Sequence, residues 1–172
     1  GRLSSIEPNV QNIPIRTFEG RKIRKLFVPT DHNLLFSSDY SQIELRVLAH
    51  MASSPLLIEA FKNNLDVHSE TAKKIFATNE VTADLRRKAK AVNFGIIYGI
   101  SAYGLSNDVE ISMKEAKEFI DKYFELYPEI KTFMDSTINF ASESGYVLTL
   151  SNRRRYIPLL KSNVYMQKEA AK

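Results

Sequence analysis

Signals for helix starts follow one another through the middle of this chain of 172 residues. Asp66 and Thr82 each precede an amphipathic segment and can cap it, which predicts helices to about Phe76 and Tyr98. Capping boxes that open at Ser41 and Ser112, and prolines at 55 and 128, predict further helices over 42–51, 55–63, 112–126 and 128–143. The centre of the chain is therefore predicted to be almost entirely helical.

The two ends of the chain carry strand signals instead. Residues 23–28 and the apolar run 34–36 predict short strands before the helices, the second one buried, and residues 146–150 and 156–159 predict a hairpin after them. The fold class that follows is α+β, mostly helical, with a small antiparallel sheet made from both ends and a helical insertion between them.

Composition excludes several classes of protein. The chain has no Cys, which rules out disulfide scaffolds, thiolate zinc sites and cysteine nucleophiles. Only three His are present, so a histidine-rich metal site is not expected. No apolar run approaches about 18 residues, the length that a membrane-spanning helix needs.

Positive charge is concentrated in three segments. Residues 1–30, 86–100 and 146–172 carry net charges of +4, +4 and +5, while 31–85 and 101–145 carry −4 and −5. Three basic segments can converge on one polyanion, and they can equally be ordinary solvated faces. Charge alone leaves both interpretations open.

The segment 84–99 has two chemically different sides. Its apolar residues fall within about 40° of one another on a helix and predict a core stripe: Leu85, Ala89, Val92 and Ile96. The other side grades from cations to aromatics over roughly 18 Å: Arg86, Lys90, Phe94 and Tyr98. Phosphates at the N-terminal end and a stacked base at the aromatic end would fit a nucleoside triphosphate. The alternative is a solvated basic face with aromatics that enter the core.

Asp39 follows the predicted buried strand and precedes a predicted helix. A carboxylate at a strand end can hold a divalent ion, and with the Tyr40 carbonyl it would form half of a Mg²⁺ site. The alternative is a turn or capping aspartate. Glu44 has its own alternative, as the capping-box partner of Ser41.

Two of these segments resemble known motifs. Residues 39–46 read DYSQIELR and resemble motif A of the family A DNA polymerases, of the bacterial DNA polymerase I type. Residues 86–99 read RRKAKAVNFGIIYG and resemble motif B, the nucleotide-binding helix of the fingers. GRLSS at 1–5 with PNVQNIP at 8–14 resembles the palm segment that precedes motif A, and RRRY at 153–156 resembles the basic segment after the fingers.

The resemblance implies a metal site and a nucleotide site. Asp39 would be one of two catalytic carboxylates that hold two Mg²⁺ ions, with the Tyr40 carbonyl as a further ligand. Residues of the nucleotide site would be Gln42, Glu44, His68, Arg86, Lys90, Phe94 and Tyr98.

The resemblance also gives each of these residues a role. Arg86 and His68 would hold the outer phosphates, and Lys90, also catalytic, would reach the phosphate nearer the sugar. Phe94 would pack on the sugar and base. Tyr98 would pair with Glu44, which would fill the space of a ribose 2′-hydroxyl and so select deoxynucleotides. Without the resemblance, His68 would be interpreted as a surface histidine.

Contacts to a primer–template duplex are implied as well. They would come from Arg2, Asn9 and Gln11 near the minor groove, and from Arg153 and Arg154 as phosphate contacts. The alternatives are plain loop residues and a solvated turn. The competing hypotheses are a non-catalytic, basic nucleic-acid-binding module and a protein-interaction helical domain, which would leave Asp39 unexplained.

The domains implied are a palm part at 1–52, fingers at 53–144 and a palm return at 145–172. In this family a second catalytic carboxylate follows, so we expect the chain to be a fragment without activity alone. The implied function is template-directed DNA synthesis from dNTPs, by a cytoplasmic and monomeric enzyme that is nucleoid-associated if bacterial.

Overall fold

The computed structural model describes residues 3–15 and 17–171, which divide into two compact units, one up to Ser41 and one from Gln42 onward. The first unit contains the short helix α1 (Phe18–Ile23), with 3₁₀ turns at Val10–Asn12 and Arg24–Leu26. Helix α1 forms because the Thr17 hydroxyl accepts a hydrogen bond from the Gly20 amide at 3.1 Å and so caps it.

Both strands predicted in the first unit are wrong. Helix α1 and its 3₁₀ extension occupy most of 23–28, and residues 34–36 form no regular secondary structure. Leu34 and Phe36 are 93% and 91% exposed, so this run is not buried. Apolar residues form a strand only where a neighbouring strand satisfies the backbone, and the described residues of this unit provide none. The predicted contribution of this end to the sheet is therefore also wrong.

The second unit is mostly helical. Its helices are α2 (Ile43–Met51), α3 (Pro55–Lys62), α4 (Val67–Ile75), α5 (Ala83–Ile97), α6 (Ala102–Val109), α7 (Met113–Leu126), α8 (Pro128–Ser144) and α9 (Tyr165–Ala170). The predicted caps are confirmed at Asp66, Thr82 and Ser112, whose side chains accept from the amides of Ser69, Leu85 and Glu115.

Helix α2 begins differently from the prediction. Gln42, not Ser41, precedes its first turn, in the left-handed region at φ 51°, and the Gln42 side chain makes no capping bond. The helix therefore begins at Ile43, one residue later than predicted. Glu44, in its first turn, accepts a hydrogen bond from the Tyr98 hydroxyl.

Helix α6 was not predicted, although its signals are present. The Ser101 hydroxyl accepts from the Gly104 amide at 3.1 Å and caps the helix, and Leu105 and Val109 are buried one turn apart. A cap followed by apolar residues four apart is a helix signal, which the polar residues between them obscured.

The C-terminal sheet is a two-stranded hairpin of β1 (Tyr146–Leu148) and β2 (Arg154–Tyr156). The strands are antiparallel, with Tyr146 opposite Tyr156. The hairpin was predicted, but β2 begins two residues earlier and the segment after it forms a 3₁₀ turn at Pro158–Lys161. The α+β, mostly helical class with a small antiparallel sheet is confirmed.

The core of the second unit joins α5 to its neighbours. Ala89, Val92 and Ile96 are buried and Leu85 is half-buried, as the apolar stripe of α5 predicts. Val92 and Ile96 pack in one cluster with residues of six other helices, among them Leu45, Leu57, Val67, Leu105, Tyr123 and Ile130. Each large apolar side chain buried here contributes about 2 kcal/mol. In the described part of the chain, no helix combines the length and apolarity needed to cross a membrane.

Candidate functional site

The outer face of α5 stays accessible, opposite the buried stripe. Arg86 and Lys90 are exposed, Phe94 is half-buried and Tyr98 is 64% exposed. The Lys90 Nζ lies 6.0 Å from the centre of the Phe94 ring. Tyr98 therefore stays outside the core while Phe94 packs against its edge, and the face keeps its gradation from cation to ring.

Arg86 is held by the cap residue of α4. Its Nε and Nη2 donate to the two carboxylate oxygens of Asp66 at 2.7 and 3.0 Å. This bidentate bond, with the bonds from Ser69, lowers the pKa of Asp66 to about 2. Asp66 thus fixes the start of α4 and the position of Arg86 together.

His68 lies inside the second unit, beside Phe94. It is 3% exposed, so its interpretation as a surface histidine is wrong. The two ring centres are 5.6 Å apart, and the His68 Nδ1 is 3.0 Å from the Asn93 Nδ2. Burial lowers the pKa of His68. The nearby cations Arg86 and Lys90 lower it as well, whereas the Asp66 carboxylate raises it. The ring is therefore biased toward its neutral form.

Tyr98 and Glu44 connect the C-terminal end of α5 to the first turn of α2. The Tyr98 hydroxyl donates to the Glu44 carboxylate, which is the pairing that the resemblance implies. Gln42 precedes the same turn, and its side-chain oxygen Oε1 is buried with no hydrogen-bond partner among the described residues. A buried acceptor of this kind can take a donor from a ligand.

The glycines of α5 serve the fold. The Ile100 and Gly99 amides donate to the carbonyls of Gly95 and Ile96 at 2.8 and 3.1 Å, which is a Schellman turn. Gly99 has φ +69°, and a Cβ on Gly95 would lie 2.6 Å from the Ile100 Cγ2. A closely approaching ligand is not needed to explain these glycines.

Asp39 and Tyr40 lie in the first unit, in exposed coil rather than at a strand end. No cluster of three or more His, Asp or Glu that could bind a metal occurs in residues 3–15 and 17–171. A carboxylate and a main-chain carbonyl are hard oxygen donors, so Asp39 and Tyr40 fit part of a Mg²⁺ site.

The predicted duplex contacts are exposed where the structure describes them. Asn9 accepts from the Gln11 amide at 3.2 Å, and the Gln11 side chain donates to the Leu3 carbonyl at 3.0 Å. Arg153 precedes β2, and the Arg154 guanidinium lies 4.8 Å from the Tyr146 ring. Arg2 lies outside the described residues.

Sequence reasoning missed Asn93, which is fully buried between His68 and Thr71. Its position gave one signal: it lies about 40° from the apolar stripe of α5, where a polar residue needs a buried partner. Asp66 was predicted as a cap, but its bond to Arg86 was not.

Together, a helix face that grades from cation to ring, a buried histidine beside it and a Tyr–Glu pair at its far end make up the candidate site. The chain belongs to DNA polymerase family A, whose sequence model matches residues 1–172. This confirms the family that motifs A and B indicate.

Proteins with similar sequences and structures belong to the same family. The chain is 58% identical to DNA polymerase I of Geobacillus stearothermophilus and 57% identical to that of Caldicellulosiruptor bescii, over 94% of the chain and 19% of each relative. A solved structure, the POL domain of Pol1 from M. smegmatis in complex with DNA primer-template and dNTP, matches with a TM-score of 0.88 and 44% identity, over 99% of this chain and 31% of that one. The chain thus spans about a fifth of the curated relatives' length.

Proposed function

We propose that this chain is the nucleotide-selecting part of a DNA-directed DNA polymerase that adds deoxynucleotides to a primer 3′ end. The observation that carries the proposal is the outer face of α5, with Arg86 fixed by Asp66 and Tyr98 joined to Glu44. Family membership and the dNTP named for the M. smegmatis structure support it.

The phosphates of the incoming dNTP bind the cationic end of this face. Arg86 and His68 take the outer phosphates, and Lys90 takes the phosphate nearer the sugar, where negative charge increases during transfer. Lys90 is a suitable partner because its exposed ammonium can move on a flexible stem. Its approach to the phosphate completes the site when α5 swings toward the palm, as a correct base pair forms.

The sugar and base bind the aromatic end. Phe94 packs against them, and the Tyr98–Glu44 pair occupies the space that a 2′-hydroxyl would need. The buried Gln42 acceptor lies in the turn before Glu44 and contributes to the same site. Selection of deoxynucleotides therefore comes from a side-chain pair that joins two helices.

Asp39 and the Tyr40 carbonyl would hold Mg²⁺, with a second carboxylate from elsewhere in the protein. When bound, two Mg²⁺ ions supply Lewis-acid activation of the primer 3′-hydroxyl and of the leaving pyrophosphate. Residues 1–52 and 145–172 belong to the palm and 53–144 to the fingers. Asn9, Gln11, Arg153, Arg154 and Arg2 bind the duplex.

The enzyme acts as a monomer in the cytoplasm, where dNTPs and the chromosome lie, and it associates with the nucleoid through its DNA substrate. The similar polymerases of Geobacillus stearothermophilus and Caldicellulosiruptor bescii come from bacteria, which supports that location.

Hydrogen exchange of α5 tests the proposal in the full-length protein. We expect dNTP with Mg²⁺ and primer–template to protect α5, and Lys90→Ala to abolish that protection. Arg87→Ala is the control, because Arg87 pairs with Asp84 at 2.8 Å on the same helix and takes no part in the face. Protection by DNA alone that weakens steeply with salt would instead identify a non-catalytic binding module.

A further inference from the structure

A chain of buried polar groups leads inward from His68. The Asn93 Nδ2 lies 3.0 Å from the His68 Nδ1 and 3.2 Å from the Thr71 Oγ1, and the Thr71 Oγ1 lies 3.1 Å from the Tyr127 Oη. All four residues are buried: His68, Thr71, Asn93 and Tyr127. The chain ties α4 and α5 to the junction of α7 and α8.

The direction of these bonds fixes where the histidine proton lies. An amide nitrogen only donates, so the His68 Nδ1 that faces it must be an acceptor, and the proton of the neutral ring is then at Nε2. We propose that Asn93, held by Thr71 and Tyr127, is a positioning residue that keeps His68 in the Nε2–H tautomer, so that this N–H can donate to the outer phosphates of the dNTP.

Buried polar bonds suit this task because they have few alternatives. The Thr71 hydroxyl lies 3.2 Å from the Asn93 Nδ2 and 3.3 Å from the Asn93 Oδ1, so it can bond to the amide and hold it beside His68. A buried amide that loses its hydrogen-bond partner destabilises the folded state, so the bonds of Asn93 to His68 and Thr71 are held firmly. A wrong tautomer would present a lone pair to a phosphate oxygen and repel it.

Two measurements on the full-length protein test the proposal. The proposal rests on the proposed function only where it assigns His68 to the phosphates. Nitrogen-15 NMR of the histidine rings, with the His68 signals identified by their loss in His68→Gln, should show the Nε2–H tautomer. Asn93→Asp should shift the proton to Nδ1 and raise the pKa of His68, because a carboxylate accepts where the amide donated. The other charged groups near the ring are Asp66, Arg86 and Lys90, and they are unchanged.

A double-mutant cycle tests the consequence for dNTP binding. We expect Asn93→Leu and Thr71→Val each to raise KM for dNTP about tenfold with little change in kcat. Thr71→Ser keeps the hydroxyl, so its KM should equal that of the unsubstituted protein. In a His68→Ala background neither substitution should raise KM further. Ser106→Ala removes a buried hydroxyl on α6 and serves as the control.

The outcomes separate the two proposals. An Nδ1–H tautomer in the unsubstituted protein, or equal KM penalties with and without His68, would overturn the positioning role. If His68→Ala leaves KM unchanged while the Nε2–H tautomer is found, the phosphate role of His68 fails instead. If Asn93→Leu does not fold, the KM values of Thr71→Val and Thr71→Ser test the positioning role in its place.

Discussion

At the scale of single residues, two neighbouring tyrosines differ in how their hydroxyls are satisfied. Tyr123 and Tyr127 are both buried, with ring centres 4.9 Å apart. The Tyr127 hydroxyl bonds to Thr71, whereas the Tyr123 hydroxyl has no hydrogen-bond partner among the described residues. Burial raises the pKa of Tyr123, as expected for a phenol in apolar surroundings.

This difference predicts opposite effects of the same substitution. Tyr123→Phe should stabilise α7 by about 1 kcal/mol, because it removes a buried polar group that lacks a partner, and Tyr127→Phe should destabilise it by about 1 kcal/mol. Hydrogen exchange of α7 amides in the full-length protein measures both free energies of opening. The same sign for both substitutions would show that the Tyr123 hydroxyl is hydrated or bonded.

Asp66 gives a pH-dependent prediction. Its pKa is lowered from 3.8 to about 2, so its bond to Arg86 stabilises the folded state above about pH 4 and is lost as the pH falls toward about 2. Asp66→Asn should therefore lower the thermal midpoint near pH 5 and have a smaller effect near pH 2.5, in thermal denaturation of the full-length protein.

The control for Asp66 is Asp135→Asn. Asp135 forms an exposed pair with Lys131 on α8 at 3.0 Å, and a pair of that kind contributes little. If Asp66→Asn and Asp135→Asn changed the thermal midpoint equally, and by the same amount near pH 5 and near pH 2.5, the Asp66–Arg86 bond would have no special role.

At the scale of elements, the end of α5 depends on the contact between Gly95 and Ile100. Gly95→Ala should destabilise α5 by about 2 kcal/mol, because its Cβ would lie 2.6 Å from the Ile100 Cγ2. Ile100→Ala in the same chain should recover part of this loss in hydrogen exchange of α5. Gly99→Ala, which meets open space at φ +69°, should cost only the backbone strain of about 1 kcal/mol. A Gly95→Ala cost no larger than that of Gly99→Ala would contradict the packing argument.

Elements were predictable from the sequence where their signal is local. Caps at Asp66, Thr82 and Ser112 lie within three residues of the amides they satisfy, so the starts of α4, α5 and α7 could be predicted correctly. The apolar run at 34–36 failed because a strand needs a partner that no local pattern specifies.

The same distinction applies to the site. The outer face of α5 was predictable because helical periodicity alone places its residues together. The bonds from Asn93 to His68 and from Arg86 to Asp66 join residues 25 and 20 positions apart, so they follow from packing of α4 against α5. The Tyr98–Glu44 pair was anticipated only through the family resemblance.

At the scale of the whole molecule, the division at Ser41 separates the proposed metal-binding carboxylate from the proposed nucleotide-binding face along the chain. Asp39 lies in the first unit, and Lys90, His68 and Arg86 lie in the second. The central claim is that both units serve one reaction in the full-length protein. This claim requires that removing the Asp39 charge abolish synthesis while DNA binding persists.

Single-turnover primer extension by the full-length protein is the most direct test. Asp39→Asn should slow extension about a thousandfold, because a neutral amide holds Mg²⁺ poorly, and it should leave primer–template affinity intact. Asp31→Asn, which changes another exposed carboxylate of the first unit, should extend at the unsubstituted rate. Extension by Asp39→Asn at a rate close to that of Asp31→Asn would contradict the account.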